Sequence, residues 1–516
     1  MFKWLSLFSL IALPAFANDE AIRLYAEHCA SCHGGDRLGA IAPALLPENM
    51  GRLKKADAEK MIAEGKPNSQ MSGFAAKVSP EGIKALTELI YTPLPEVPVW
   101  GEKEMLASHK IYVDLKSLPD KPLHNSDHMN LFTVVELGDH HITILDGDKF
   151  EPIARFPSRF ALHGGAKYSP DGRFMHVVSR DGWVSRYDLY SMQLVAEIRA
   201  GVNSRNIAVS SDGKYVMVGN MLPHTLVGLD AETLKPVKII KVGNDKGETS
   251  RISAVYNAPQ RKSFIAALKD LPEIWEMSYD KDAPPVYKGF VHSRMKGEDE
   301  GLAESFPFPV FRYDRINEYL DDFFFTPDYV QIIGAGRDGG QAFVIDLDLK
   351  RRIKSIPMPG MPHLGSGITW VGEDGIPYLA TPHLKEPVIS VIDMRNWETV
   401  KKIPTLGPGF FMRSHENTPY AWADVFFGKD KDTIQIIDKR TQEIVKTLRP
   451  SPGKTAAHIE FTKDGRYALV SIWEMDGALV VYDAQTFEEV KRIPMKKPSG
   501  KYNIYNKITY SGGTSH

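Results

Sequence analysis

Between residues 146 and 483 one short pattern keeps returning: an alternating apolar strand that ends on an aspartate, at Asp146, Asp188, Asp230, Asp346, Asp393, Asp438 and Asp483. The intervals are 42, 42, 116, 47, 45 and 45 residues. A second mark, the turn Ser169-Pro170-Asp171-Gly172, returns as Ser211-Asp212-Gly213, Pro327-Asp328, Glu373-Asp374-Gly375 and Lys463-Asp464-Gly465. A period of about 40–50 residues made of short period-two strands predicts a β-propeller. A heptad or helical solenoid fails, because the apolar period is two rather than 3.5. The long interval holds one degenerate unit, with Ile274-Trp275-Glu276 as its closing strand, and an insertion near 280–320. That makes eight units, and an all-β eight-bladed propeller over 106–516. Each repeat aspartate suits a hairpin turn in which its carboxylate takes local backbone amides. Residues 502–509 read as a final alternating strand that closes the ring beside Ile111-Tyr112-Val113. The insertion, charged and proline-bearing, is expected to cross one face as a surface excursion and is a candidate lid.

Upstream, the chain's two cysteines share one motif, Cys29-Ala30-Ser31-Cys32-His33. C-x-x-C-H reads as the attachment site of one covalent c-type haem, with thioethers from Cys29 and Cys32 and His33 as proximal iron ligand. The alternatives are a redox pair or half a zinc site, and zinc would want a second ligand pair at matching spacing. Helical spacing over 19–29, 56–63 and 80–91, with Pro80 at a first-turn position, predicts a small all-α c-type cytochrome domain over 18–92. Met71 lies 38 residues after His33 in a segment that resembles the M-P-x-F stretch of class I cytochromes, with Ser72 in place of proline. It is the expected sixth ligand, and Met61, within a helical pattern, is its rival. Residues 93–105 begin with three prolines and read as a stiff linker.

The extreme N-terminus has a short positive start, an apolar run from Trp4 to Leu13, and Ala15-Phe16-Ala17. That pattern predicts a signal peptide over 1–17 and a periplasmic protein with no integral membrane segment after processing. Net charge is −2 and no basic run occurs, which argues against nucleic-acid or polybasic membrane partners. The periplasm also suits c-haem attachment, although no cysteines remain for structural disulfides.

In a propeller the innermost strands converge on the axis. Reading one equivalent position per repeat gives His163, Arg205, Arg251, Asp321 or Asp322, His363, Arg413 and His458. Three histidines and three arginines on one axis exceed what structure needs. Arginines suit carboxylates, and histidines can ligate a metal or move protons. The expected ligand is polycarboxylated and has room for a metal.

A signal peptide, a c-haem domain and an eight-bladed propeller together resemble the cytochrome cd1 nitrite reductase family, whose propeller holds haem d1. The likeness spans nearly the whole mature chain. Phe160-Ala161-Leu162-His163, Gly172-Arg173-Phe174 and Ser179-Arg180-Asp181-Gly182 resemble the family's proximal-ligand segment, which implies His163 as axial ligand of the d1 iron. Ser204-Arg205-Asn206 and Arg251 match arginines that hold carboxylates, and Pro362-His363 matches a distal-pocket segment. Residues 498–506 resemble the family's terminal strand. Two departures point away from nitrite reduction: Leu364-Gly365-Ser366-Gly367 lacks the expected arginine, and His458 stands where a reductase has no histidine. With the 280–320 insertion, they bring the chain closer to the biosynthetic branch, the dihydro-haem d1 dehydrogenases, which oxidise a propionate of the precursor to acrylate. The resemblance implies dihydro-haem d1 as substrate and haem d1 as product. Arg180, Arg205 and Arg251 hold carboxylates, His363 or His458 is the base, and electrons pass to the c-haem. His383 and His415 are further candidates. An electron-acceptor protein and a d1-receiving nitrite reductase are the implied partners. The rival functions are nitrite reduction to nitric oxide and non-catalytic delivery of haem d1.

Overall fold

Each repeat aspartate ends the third strand of its blade's antiparallel sheet and takes amides of the turn that follows. Asp146 Oδ1 accepts from the backbone N–H of Asp148 (2.8 Å) and Lys149 (2.9 Å). Asp346 does the same with Asp348 and Leu349, and Asp483 with Gln485 and Thr486. Three-residue reach is what a short acidic side chain offers a hairpin, so one residue type recurs at one place in successive blades. In the degenerate unit Ile274–Ser278 takes the third-strand position without that aspartate.

This computed structural model describes residues 13–40, 42–50, 53–65, 71–288 and 302–509. The chain divides into two compact units, Met1–Val99 and Trp100–His516. Much of the signal segment lies outside the described residues.

The second unit is an eight-bladed propeller. Blades 2 to 8 begin with inner strands Leu162–Tyr168, Asn203–Val209, Ile252–Ala258, Leu320–Phe325, Ile368–Val371, Met412–Ser414 and Ala456–Phe461. Blade 1 joins both ends of the unit: Pro498–Asn503 is its inner strand and pairs antiparallel with Leu131–Glu136, Phe132 opposite Asn503. The ring therefore closes on residues 131–136, not beside 111–113. Lys110–Ile111 instead adds a fifth strand to the outer edge of blade 2, opposite Ala196 and Glu197. Residues Ile504–Thr509 leave the sheet as a helix, because Ile504 turns into the apolar layer beneath Gly172 and Met129 rather than continuing the ladder.

Consecutive blades pack through shared apolar clusters. Val178, Val184 and Ile198 of blade 2 meet Ile207, Val216, Val227 and Leu229 of blade 3, all buried. Each such side chain contributes roughly 1.5–3 kcal/mol of burial, so the ring is held by its radial seams. The segment expected as linker also joins this core. Glu102–Ser108 is a helix whose Met105 is wholly buried in the blade 2–3 seam, and Trp100 Nε1 donates to Arg199 O at 2.8 Å. The insertion is shorter than 280–320: Val310–Tyr313 is already the fourth strand of blade 4, paired with Ile274–Ser278. Within the excursion Tyr287–Lys288 pairs with Leu302–Ala303.

The first unit is mostly helical, with Leu13–His28, Lys55–Glu64 and Pro80–Ile90 as its longer helices. Ser79 caps the last one, its Oγ accepting from Gly82 N at 3.1 Å, with Pro80 in the first turn. Leu24, Tyr25, Met50, Ile62, Ile83, Leu86 and Ile90 form its apolar core.

Candidate functional site

In the first unit the long helix hands directly into a single turn, Ala30–His33, where His33 N–H donates to Cys29 O at 2.9 Å. That turn brings both thiols and the imidazole onto one short stretch. His33 Nδ1 donates to Pro43 O at 2.7 Å, which leaves Nε2 as the ligating lone pair. Burial lowers the His33 pKa, favouring the neutral, metal-binding imidazole. Burial and the neighbouring Cys32 push the Cys29 thiol up to about 11, the opposite of an activated redox pair. Cys29, Ala30, Met71 and Phe74 all pack on the apolar core, and Met61 is not among those residues. Two thiols, a tautomer-fixed histidine and a thioether on an apolar wall fit a c-type haem, whose chemistry is to hold and release single electrons.

The propeller axis carries the second cluster. His163 begins the inner strand of blade 2. Its Nδ1 donates to Arg205 O at 2.6 Å, and Nε2 lies 3.2 Å from Arg205 Nη1. Arg205 in turn donates Nε–H to Ser253 O at 2.6 Å in blade 4. From blade 4, Tyr256 donates its hydroxyl to Asp322 Oδ1 at 2.9 Å in blade 5. Asp322 lies so near Gly365 that a Cβ there would fall 2.1 Å from its Oδ2. Two residues before that glycine, His363 Nδ1 donates to Phe410 O at 2.7 Å, with the two rings 4.4 Å apart. Phe411 then meets His458 of blade 8 (4.7 Å between ring centres), and His458 meets Tyr502 of blade 1 (5.5 Å, edge to face). Tyr502 returns to blade 2, where Gly165, at φ +76°, has no room for a Cβ: it would sit 2.8 Å from the Tyr502 ring. The contacts thus run once around the axis.

Backbone irregularities aim these side chains. The strand register breaks between His163 and Lys167, between Leu320 and Asp322, and between Ala457 and Ile459. His458 itself is left-handed at φ +51°, and Ala161 (+47°) and Met361 (+59°) precede the other two histidines. Such bulges and strained residues cost of order 1–3 kcal/mol each and re-aim side chains toward sites. Asp424 stabilises one of them. It is buried and accepts from the N–H groups of Phe410 (2.7 Å), Phe411 (3.0 Å) and His458 (3.2 Å), and burial pushes its carboxyl up to about 6.

His363 and His458 are both shifted toward the neutral imidazole. Burial dominates in each, and for His458 the Lys501 and Arg413 charges add to it. Burial also pushes the Tyr502 phenol up to about 12. A neutral imidazole beside a protonated phenol can take one proton and supply another.

The other residues singled out from the sequence fall differently. Arg180 stands on the loop after the second strand of blade 2, its Nη1 3.9 Å from Met221 Sδ. Arg251 is at the same end of the axis, but its fork is engaged by Asp270 (2.8 and 2.7 Å). Asp321 pairs with Lys269 at 2.8 Å. His383 is structural: Nδ1 meets Pro359 O at 2.6 Å and Nε2 meets Ser390 Oγ at 2.9 Å. His415 lies at the far turns, under Gly465. Tyr256, Asp424, Lys167 and the inward-facing ring of Tyr502 come from the structure. Tyr502 lies in the stretch 498–506 that resembles the family's terminal strand, and Lys167 stands four residues after His163 in the repeat register.

A c-type cytochrome unit joined to an eight-bladed propeller with a histidine- and arginine-lined axis defines a two-haem redox architecture. Residues 126–507 match the cytochrome D1 heme domain model, and residues 17–90 match the model of cytochrome C oxidase, cbb3-type, subunit III. The chain belongs to the cytochrome D1 heme domain family. It is 52% identical, over 96% of its length and 95% of the relative's, to the dihydro-heme d1 dehydrogenase of Pseudomonas aeruginosa. A solved structure described as dihydro-heme d1 dehydrogenase NirN in complex with DHE superposes with a TM-score of 0.88, at 52% identity, covering 95% of this chain and all of that one. The nitrite reductase of Stutzerimonas stutzeri is 23% identical over 96% of this chain and 94% of its own.

Proposed function

We propose that this protein is a dihydro-haem d1 dehydrogenase: it oxidises a propionate side chain of the tetrapyrrole to an acrylate, the closing step of haem d1 formation. The observation that carries the reading is His458. A neutral imidazole held left-handed in a bulge, between Phe411 and Tyr502 on the axis, is what a proton abstraction from a flat ligand's side chain needs. The 52% identity to the dehydrogenase, against 23% to the nitrite reductase, supports the same choice.

Converting CH2–CH2 to CH=CH releases two protons and two electrons. His163 offers Nε2 to the substrate's iron, and that contact displaces Arg205 Nη1 and frees the guanidinium for a substrate carboxylate. Arg180 serves at the rim. His458 takes one proton and His363 the other, with Tyr502 beside the reacting chain, and the two electrons leave one at a time for the external acceptor. Holding the reacting carbons against a fixed base is worth several kcal/mol of barrier. The c-haem, held by Cys29, Cys32, His33 and Met71 in an all-α cytochrome domain, supplies a one-electron carrier when bound. The sequence start supports a periplasmic location. We infer two partners there, an electron-acceptor protein and a nitrite reductase that receives the finished haem d1.

Anaerobic incubation of the purified protein with dihydro-haem d1 and an oxidant tests the proposal. The expected result is the optical spectrum of haem d1 and a product lighter by two hydrogens. Unchanged tetrapyrrole refutes it, and tightly retained haem d1 that turns over nitrite establishes the reductase reading instead.

A further inference from the structure

Below the histidines the axis is basic. Lys167 reaches from blade 2 across to the Tyr256 ring of blade 4, with Nζ 6.0 Å from the ring centre. Lys507, on the terminal helix Ile504–Thr509, has Nζ 5.5 Å from the centre of the Tyr502 ring. Arg413 of blade 7 is 3% exposed, and Lys501 is wholly buried with Nζ 2.9 Å from Ser471 Oγ and bonded to His458 O. Three carboxylates, Glu460, Asp322 and Asp424, stand among these cations. Glu460 faces Arg413 with Nε and Oε2 4.0 Å apart, and its other oxygen accepts from Asn506 Nδ2 at 3.0 Å. Asp322 is engaged by Tyr256, and Asp424 is a carboxyl that burial already pushes toward protonation.

This floor is built but electrostatically incomplete. Arg413 Nε, His458 Nδ1, Glu460 Oε2 and Asn506 Oδ1 are buried polar atoms without a hydrogen-bond partner. Such atoms are costly to leave unmade, and they cluster here. Lys167, Lys507, Tyr256 and Tyr502 lie deep in the protein yet keep accessible surface, as side chains do when they wall an internal chamber. Burial and the Arg413 charge push Lys167 down to about 8 and Lys507 well below its usual range. Cations gathered in a low-dielectric chamber destabilise one another unless an anion joins them.

The ring order says which part of a ligand arrives there. His163 is in blade 2 and His363 precedes the inner strand of blade 6, so they face each other across eight blades. A planar macrocycle bound to His163 would stand between them with one edge toward the floor of the axis. The carboxylates of a tetrapyrrole project from the periphery of its ring, so such an edge can carry some of them to the basic residues.

We propose that Lys167, Arg413 and Lys507 form a carboxylate subsite at the floor of the axis, which takes the downward-pointing side-chain carboxylates of the tetrapyrrole and sets its rotation about the His163 bond. The proposal rests on the tetrapyrrole reading above and deepens it, because rotation decides which side chain reaches His458. Arg251, engaged by Asp270, is not needed for this task.

The test compares haem d1 as free acid with its methyl ester, titrated optically into the full-length protein and into Lys167→Met and Lys507→Met variants. Methionine keeps the aliphatic stem and removes the charge. The free acid is expected to bind wild type more tightly than the ester. Each variant loses about 10- to 100-fold affinity for the acid, the scale of one charge-assisted contact, and little for the ester. Lys507→Arg retains the preference. Unchanged ester affinity in both variants shows that they remain folded, which separates loss of the charge from loss of the structure. Equal losses for acid and ester, or no loss for either, overturn the subsite. If wild type binds neither form, the tetrapyrrole reading itself fails.

Discussion

Asp424→Asn separates charge from geometry at the residue that shapes the His458 bulge. In the wild type one carboxyl is buried under three backbone donors, and burial raises it from 3.8 to about 6. A shift of about two units corresponds to roughly 3 kcal/mol. The sign follows from proton counts. Between pH 4 and 6 the native state keeps a proton that the unfolded chain has released, so stability falls as pH rises through this window. The full cost is present above pH 6. Asparagine never ionises and escapes that cost. Its oxygen still accepts from Phe410 and Phe411, but its NH2 then faces the His458 N–H, leaving a buried donor unpaired at about 1–3 kcal/mol. The two effects nearly cancel at pH 8, whereas at pH 4.5 only about a third of the ionisation cost is present and the penalty of the unpaired donor outweighs it. Melting curves from pH 4.5 to 8 therefore diverge: wild type loses roughly 2 kcal/mol relative to the variant across this range, ~2 °C for a unit of this size. Turnover of the variant falls at every pH, because His458 has lost the anchor of its left-handed backbone, while tetrapyrrole affinity holds. Parallel melting profiles, or turnover equal to wild type, refute the reasoning.

His458→Gln keeps a polar side chain but removes the proton acceptor, so single-turnover oxidation of bound substrate falls about 10²- to 10⁴-fold with binding unchanged. Equal rates in a stopped-flow assay assign the base to another residue. Met71→Ala removes the thioether that packs beside Cys29, and the c-haem loses its low-spin methionine spectrum and its potential falls. Met61→Ala leaves both unchanged, and the reverse pattern reassigns the sixth ligand.

What the sequence made legible was whatever is local or periodic. Asp146, Asp346 and Asp483 announce their hairpins because the carboxylate bonds amides two and three residues on, a reach that needs no tertiary knowledge. The same period aligns His163, Arg205, His363, Arg413 and His458 at one level of the axis from sequence alone. Ring closure is another kind of fact. Residues 110–111 and 131–136 both look like strands, and only long-range packing chooses the second as partner of 498–503. Ile504 to Thr509 alternates apolar and polar like a strand, but Ile504 is buried beneath Gly172 and the chain coils to keep it there. Met105 and Trp100 look like parts of a linker until the blade 2–3 seam provides an apolar face for them.

The harder losses are at the floor of the axis, and they share one cause. A lysine in an alternating strand, such as Lys167, reads as a solvent-facing residue, because the period gives its level along the axis but not its inward side. Lys507 is further removed, since the helix that carries it, Ile504–Thr509, reads as strand in the sequence. The left-handed backbone of His458 breaks the period at the residue on which the chemistry depends most. Periodicity describes the scaffold that repeats, whereas a site for one asymmetric ligand must differ from blade to blade. The residues that discriminate among that ligand's side chains are therefore the ones for which a repeat-based reading has the least to say.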